Sequence, residues 1–231
     1  MTGARALKRE IRQVLADSGQ DKAMARIGGH RPRQAINALI SHFYEADALI
    51  RWRAVTAAGI VTADLAEAEP ESARVIMRRF MWMLNDESGG IGWGAPEAMG
   101  AAMARNSLLA AEYASVLCSY IDPGQNFLEH PGLQRGLLWG LGELARVRPQ
   151  MAAWAAPHIA GFLDSNDAYH RGIGGWAAGN TGSPENLDRV HALTSDRAVI
   201  EFFEDWQLYR VSVGELAQRA VSAITRTQQE E

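Results

Sequence analysis

Four segments of this 231-residue chain can be written one beneath another, and no other feature limits the fold as much. They are Ile50-Arg-Trp-Arg-Ala-Val-Thr-Ala-Ala-Gly59, Ile91-Gly-Trp-Gly-Ala-Pro-Glu-Ala-Met-Gly100, Leu133-Gln-Arg-Gly-Leu-Leu-Trp-Gly-Leu-Gly142 and His170-Arg-Gly-Ile-Gly-Gly-Trp-Ala-Ala-Gly179. The closing glycines are spaced by 41, 42 and 37 residues. A second amphipathic stretch precedes each segment, over 35–44, 73–84, 108–121 and 151–163, so the repeating unit is a pair of helices. Neither helix can bury its apolar stripe alone, and stacking the pairs merges the stripes into one core. A fifth unit fits less well, with Gln218 in the glycine's place and a capping box at Ser212 and Glu215 that starts its helix.

The predicted fold is all-α, a right-handed α-solenoid of about five helix pairs with an N-terminal capping helix. Its expected boundaries are a basic cap over 1–30, units at 31–66, 71–106, 107–148, 149–183 and 184–227, and a tail at 228–231. Strand alternation is unconvincing everywhere except a short piece near 207–211. The charge distribution agrees with a distinct cap: residues 1–33 carry eight basic and three acidic side chains, and the remainder carries 15 against 24. With a formal charge of -4, the chain is not one that coats nucleic acid through bulk electrostatics. A single cysteine, Cys118, permits no intrachain disulfide and fits the cytoplasm. No apolar run approaches the ~18 residues of a membrane span, so no membrane partner is expected.

These segments resemble HEAT repeats, more narrowly the HEAT-like repeats named after phycobilisome lyases, whose second helix carries a similar arginine, paired small residues and Leu-Gly. The resemblance spans about 31–224 and implies a scaffold rather than a chemistry. It also implies that the second helices line the concave surface.

An α-helix turns about 100° per residue, so each position before the closing glycine has a direction. Positions nine, five, two and one before it, and two after it, fall within about 100° of arc and are almost wholly apolar. They include Ile50, Ala54, Ala57, Ala58 and Val61 in the first segment and Leu133, Leu137, Leu141 and Leu144 in the third. Positions seven and three before the glycine point nearly the opposite way. They hold Trp52, Trp93, Trp139 and Trp176, with Thr56, Glu97, Arg135 and Gly172 in the remaining places. An uncovered indole forgoes several kcal/mol of apolar burial at about 25 cal/mol per Å². A ligand is therefore expected to cover them, alongside Arg51, Arg53, Arg171, Glu143 and Asn180, and the closing glycines on this face would let it approach the backbone. Wedging of the indoles between adjacent second helices is the competing expectation.

The glycine-rich stretch 85–94 lacks the Gly-Lys-Ser/Thr of a nucleotide loop, and Asp86 or Ser88 is expected to cap the following helix while Glu87 and Ser88 reach the groove. The six histidines show no i, i+3 or i, i+4 pair, so neither a metal nor another cofactor is expected. Cys118 shares a face with Ala114, Leu117 and Ile121 and reads as a buried structural thiol. His170 reads as a capping or surface residue.

The function these residues point to is binding without catalysis: a monomer or homodimer that grips a protein segment or extended ligand in a Trp/Arg/Glu-lined groove. An enzyme is the second reading. HEAT-like DNA alkylation glycosylases are similar in size and set groove tryptophans and an acidic residue against a damaged base. The resemblance would give Glu97 that acidic role and make Arg135 or Arg171 the phosphate contact, but the acidic body disfavours nucleic acid.

Overall fold

The computed structural model describes residues 3–85 and 92–230. Two short helices, α1 (Ala4–Asp17) and α2 (Gln20–Gly28), precede a succession of pairs. These are α3 (Pro32–Ile40) with α4 (Ala48–Ala68), α5 (Pro70–Leu84) with α6 (Ala95–Arg105), and α7 (Ser107–Ser119) with α8 (Pro131–Val147). The next pair sets α9 (Pro149–Ala152) and α10 (Ala156–Leu163) against α11 (Ala168–Thr181). After α12 (Leu187–Ala192) the chain forms a hairpin, β1 (Val199–Glu204) and β2 (Gln207–Ser212), and ends in α13 (Val213–Glu230). The architecture is an all-α solenoid carrying one β-hairpin.

The helices begin where local chemistry can satisfy their free N–H groups. Asp47 accepts from the amides of Leu49 and Ile50, Asn106 from Leu109 and Asp167 from Tyr169. The capping box also forms: Glu215 accepts from the Ser212 amide at 2.9 Å, and Ser212 Oγ accepts from the Glu215 amide at 3.2 Å. The start of α6 differs from expectation. It opens at Ala95 after Gly94, whose φ of 78° only glycine adopts freely, so Trp93 stands in a turn rather than on the helix. Asp86 and Ser88, expected as its caps, lie outside the described residues.

The second helices α4, α6, α8, α11 and α13 pack side by side in that order. Their apolar arc is the core: Ala54, Ala57, Ala58, Ala98, Met99, Leu137, Leu141 and Leu144 are fully buried. The closing glycines mark the points of nearest approach between neighbours. A Cβ on Gly59 would lie 2.6 Å from that of Ala101, one on Gly179 would lie 2.6 Å from the Cα of Ala220, and one on Gly100 would enter the backbone of Gly140. Glycines expected to admit a ligand instead admit the next helix.

The hairpin is the main departure from the sequence expectation. Its register runs from Val199↔Ser212 to Glu204↔Gln207, leaving Asp205 and Trp206 as a two-residue turn with φ of 48° and 67°. Tryptophan is strained in that left-handed region, and its contacts offset the strain. Trp206 Nε1 donates to the Ser18 carbonyl at 3.0 Å, while the Trp206 carbonyl accepts from Arg53 Nε at 3.0 Å. Arg53 also donates to the Leu15 and Ala16 carbonyls, at 2.7 and 3.1 Å, in the last turn of α1 where a cation is favoured. The hairpin thus runs from the C-terminal helices across the faces of α11, α8 and α4 to the N-terminal cap.

Candidate functional site

The hairpin closes much of the expected trough. Trp139 is 2% exposed and Trp176 6%. Trp139 Nε1 donates to the Phe203 carbonyl at 3.0 Å, and Phe202 meets the Trp176 ring at 5.1 Å, edge to face. Trp176 also fills the space left by the missing Cβ of Gly142, which is the wedging weighed above. Both indoles are therefore packing residues, correcting the expectation that a ligand covers them.

Other residues expected in the groove are engaged as well. Arg53 is buried in its carbonyl contacts. Glu143 is buried and pairs with Arg146, Asn180 donates to the Gly142 carbonyl, and Arg171 is held by Asp196 and the Ser165 carbonyl. Glu87 and Ser88 lie outside the described residues.

One cavity of about 440 Å³ remains open beside the hairpin, within the usual range for a small-ligand pocket. Trp52 and Trp93 are both partly exposed to it, and Phe43, Val55, Tyr169 and Ile173 complete the apolar walls. Trp52 is fixed by stacking on Phe203, with ring centres 5.4 Å apart and planes 5° apart, and Trp93 meets His130 edge to face at 5.0 Å. Tyr44, Glu45, Arg51, Arg135 and Glu201 also line the cavity.

Glu97, in the first turn of α6, gives this pocket its chemistry. Its Oε2 is sealed from solvent and has no hydrogen-bond partner among the described residues. Burial pushes the carboxyl up to about 7, against smaller opposing effects from its own backbone amide and the positive charge of Arg51. The two arginines are committed elsewhere. Arg135 donates to Asp167 from Nε at 2.9 Å and Nη2 at 2.6 Å, and lies 4.5 Å over the Tyr169 ring. Burial alone would raise the Asp167 carboxyl, but Arg135 and the Tyr169 amide hold it below the ordinary aspartate value. Arg51 donates to the Glu45 carbonyl at 2.6 Å.

Sequence reasoning brought Trp52, Trp93, Glu97, Arg51 and Arg135 to one place but missed Tyr44, Tyr169, Glu201 and the glycines of α8. Gly132, Gly136 and Gly140 recur every four residues on one side of α8, and that spacing was a usable signal. A Cβ on Gly132 would enter the Trp93 ring, and one on Gly136 would enter the Glu97 carboxylate. The stripe gives these two side chains their room.

A carboxylate with one oxygen sealed from solvent and unpartnered among the described residues destabilises the fold. The folded chain holds the Glu97 proton up to about 7, whereas the ordinary value is 4.5, so the favourable neutral form is lost as pH rises through that interval. Glu97→Gln is therefore expected to raise stability by about 1–3 kcal/mol at pH 8 and to change it little at pH 4.5. Urea denaturation at both pH values checks this, and an equal effect at both would contradict it.

Among the described residues, no cluster of three His, Cys, Asp or Glu is placed to hold a metal ion, and no helix is long and apolar enough to cross a membrane. Cys118 is buried, with its thiol pushed up to about 11 by desolvation. His170, expected at a cap or on the surface, is buried between the Pro131 carbonyl and Ser165 Oγ.

No family model and no curated protein matches the chain. Solved structures do. A designed armadillo repeat protein in complex with the peptide (KR)4 aligns with TM-score 0.57 at 17% identity, covering 95% of this chain and 92% of its own. A computationally designed armadillo repeat protein for modular peptide recognition aligns with TM-score 0.52 at 17% identity, over the same shares. An archaeal HEAT-like repeat protein from Thermococcus onnurineus NA1 aligns with TM-score 0.43 at 17% identity, covering 95% of this chain and 80% of its own. Likeness at this identity is likeness of fold, and the designed proteins give the chain an armadillo-type helical-repeat fold.

Proposed function

We propose that this protein is a binding module without catalytic activity, and that it recognises a protein segment by taking one side chain into the pocket between Trp52, Trp93 and Glu97. The observation that carries the proposal is the cavity walled by two partly exposed indoles, beside a Glu97 oxygen that is unpartnered among the described residues. Such a site costs stability while empty, and a ligand that covers the rings and meets the carboxyl recovers it. The fold is one on which designed armadillo proteins hold peptides, including (KR)4. A cytoplasmic setting suits the buried lone cysteine, and the pocket is complete within one chain, so a monomer suffices.

The base-excision reading shares Glu97 and the two tryptophans. It loses its phosphate contacts, since Arg135 and Arg171 are tied to Asp167 and Asp196.

Selection from a random peptide library tests the proposal. Enriched peptides are expected to bind the wild type and to lose more than about 2 kcal/mol, roughly thirtyfold in affinity, on Trp93→Ala, with helix content unchanged. No enrichment, or binding indifferent to Trp93→Ala, would remove this reading.

A further inference from the structure

Resting on that reading of the pocket, the geometry points to its ligand class: we infer that the occupant is an organic cation, the guanidinium or ammonium head of an arginine or lysine side chain on the bound segment. The charges that face the cavity carry the inference. Three carboxylates line it, Glu45, Glu97 and Glu201, against the guanidiniums of Arg51 and Arg135. Arg135 is neutralised from outside by Asp167, and Glu45 by Arg12 at 2.8 Å. Among the lining residues Glu97 and Glu201 then remain against Arg51, with Arg210 of β2 opposite Glu201 across the hairpin.

The walls select in the same direction. The cavity-lining faces of Trp52 and Trp93 carry the negative lobes of their π-systems, and a cation within about 6 Å of a ring centre is attracted to them. The protein already uses this contact on itself, with Arg135 over Tyr169 at 4.5 Å. An anionic ligand would meet the Glu97 carboxylate and the ring faces, all repulsive, and would have to draw Arg135 from Asp167. A neutral apolar group would cover the rings but offer the Glu97 carboxyl no donor. A cationic head on an alkyl stem covers the rings and brings a donor to the carboxyl.

Short blocked glycine peptides with one central residue test this, the residue being arginine, lysine, citrulline, norleucine or glutamate. Binding is followed by calorimetry on the full chain. The cationic peptides are expected to bind at least about tenfold more tightly than their neutral counterparts, citrulline and norleucine, and Glu97→Gln to reduce that preference at least about threefold while keeping binding measurable. Equal binding of arginine and citrulline, or preference for glutamate, would overturn the cationic assignment and leave the pocket reading standing. Absence of binding by every peptide up to millimolar concentration would overturn both. A cationic preference unchanged by Glu97→Gln would also overturn the assignment, because the cation would then be bound away from this carboxyl.

Discussion

Gly100→Ala is expected to destabilise the protein by about 3 kcal/mol or more, opposite in sign to the roughly 1 kcal/mol that the same exchange gains in an open helix. The added methyl would enter the backbone of Gly140 on α8, and backbone cannot rotate out of the way as a flexible side chain can. The mirror contact holds α8 equally close, since a Cβ on Gly140 would enter the Pro96 carbonyl of α6. The two helices would have to separate, loosening the apolar arc around Ala98, Met99, Leu137 and Leu141. Gly175→Ala is the matched control. That position lies within α11 with nothing inside 4 Å of the new methyl, and a gain of about 0.5–1 kcal/mol is expected there. Urea denaturation followed by circular dichroism separates the two, and equal effects would mean that the glycines are not contact points.

Trp206→Ala is expected to cost about 3–5 kcal/mol, the range for truncating a buried tryptophan. The ring is 3% exposed, lies 5.6 Å from the Arg53 guanidinium and anchors the hairpin tip to α1. Its loss strands the Ser18 carbonyl and removes the contacts that hold two turn residues at positive φ. With the tip released, Phe202 and Phe203 should leave Trp176, Trp139 and Trp52. Emission should shift red and become quenchable by iodide, although those three indoles are untouched by the substitution. Unchanged stability together with unchanged quenching would show that the tip is not the anchor.

This hairpin also explains why part of the site could not be read in advance. Its strand signal is weak because Phe202 and Phe203 are adjacent and both buried, one on Trp176 and the other on Trp52, which breaks the two-residue alternation. Its turn is Asp205-Trp206 rather than the Asn-Gly or Asp-Gly that such a turn favours, and docking onto Ser18, 188 residues away, is what stabilises it. Trp93 was placed on a helix because Gly94 was not recognised as a left-handed break before Ala95.

Local periodicity was enough to determine the helix pairs, their apolar arcs and the capping box at Ser212 and Glu215, because each depends on neighbours within a turn or two of helix. Whether a repeat indole meets solvent depends on what lies opposite it, and residues 199–206 cover Trp139 and Trp176 from far along the chain. Only the tertiary structure decided that two of the four tryptophans are sealed, that the repeat glycines are helix contacts, and that one Glu97 oxygen is left unpartnered among the described residues beside the remaining two.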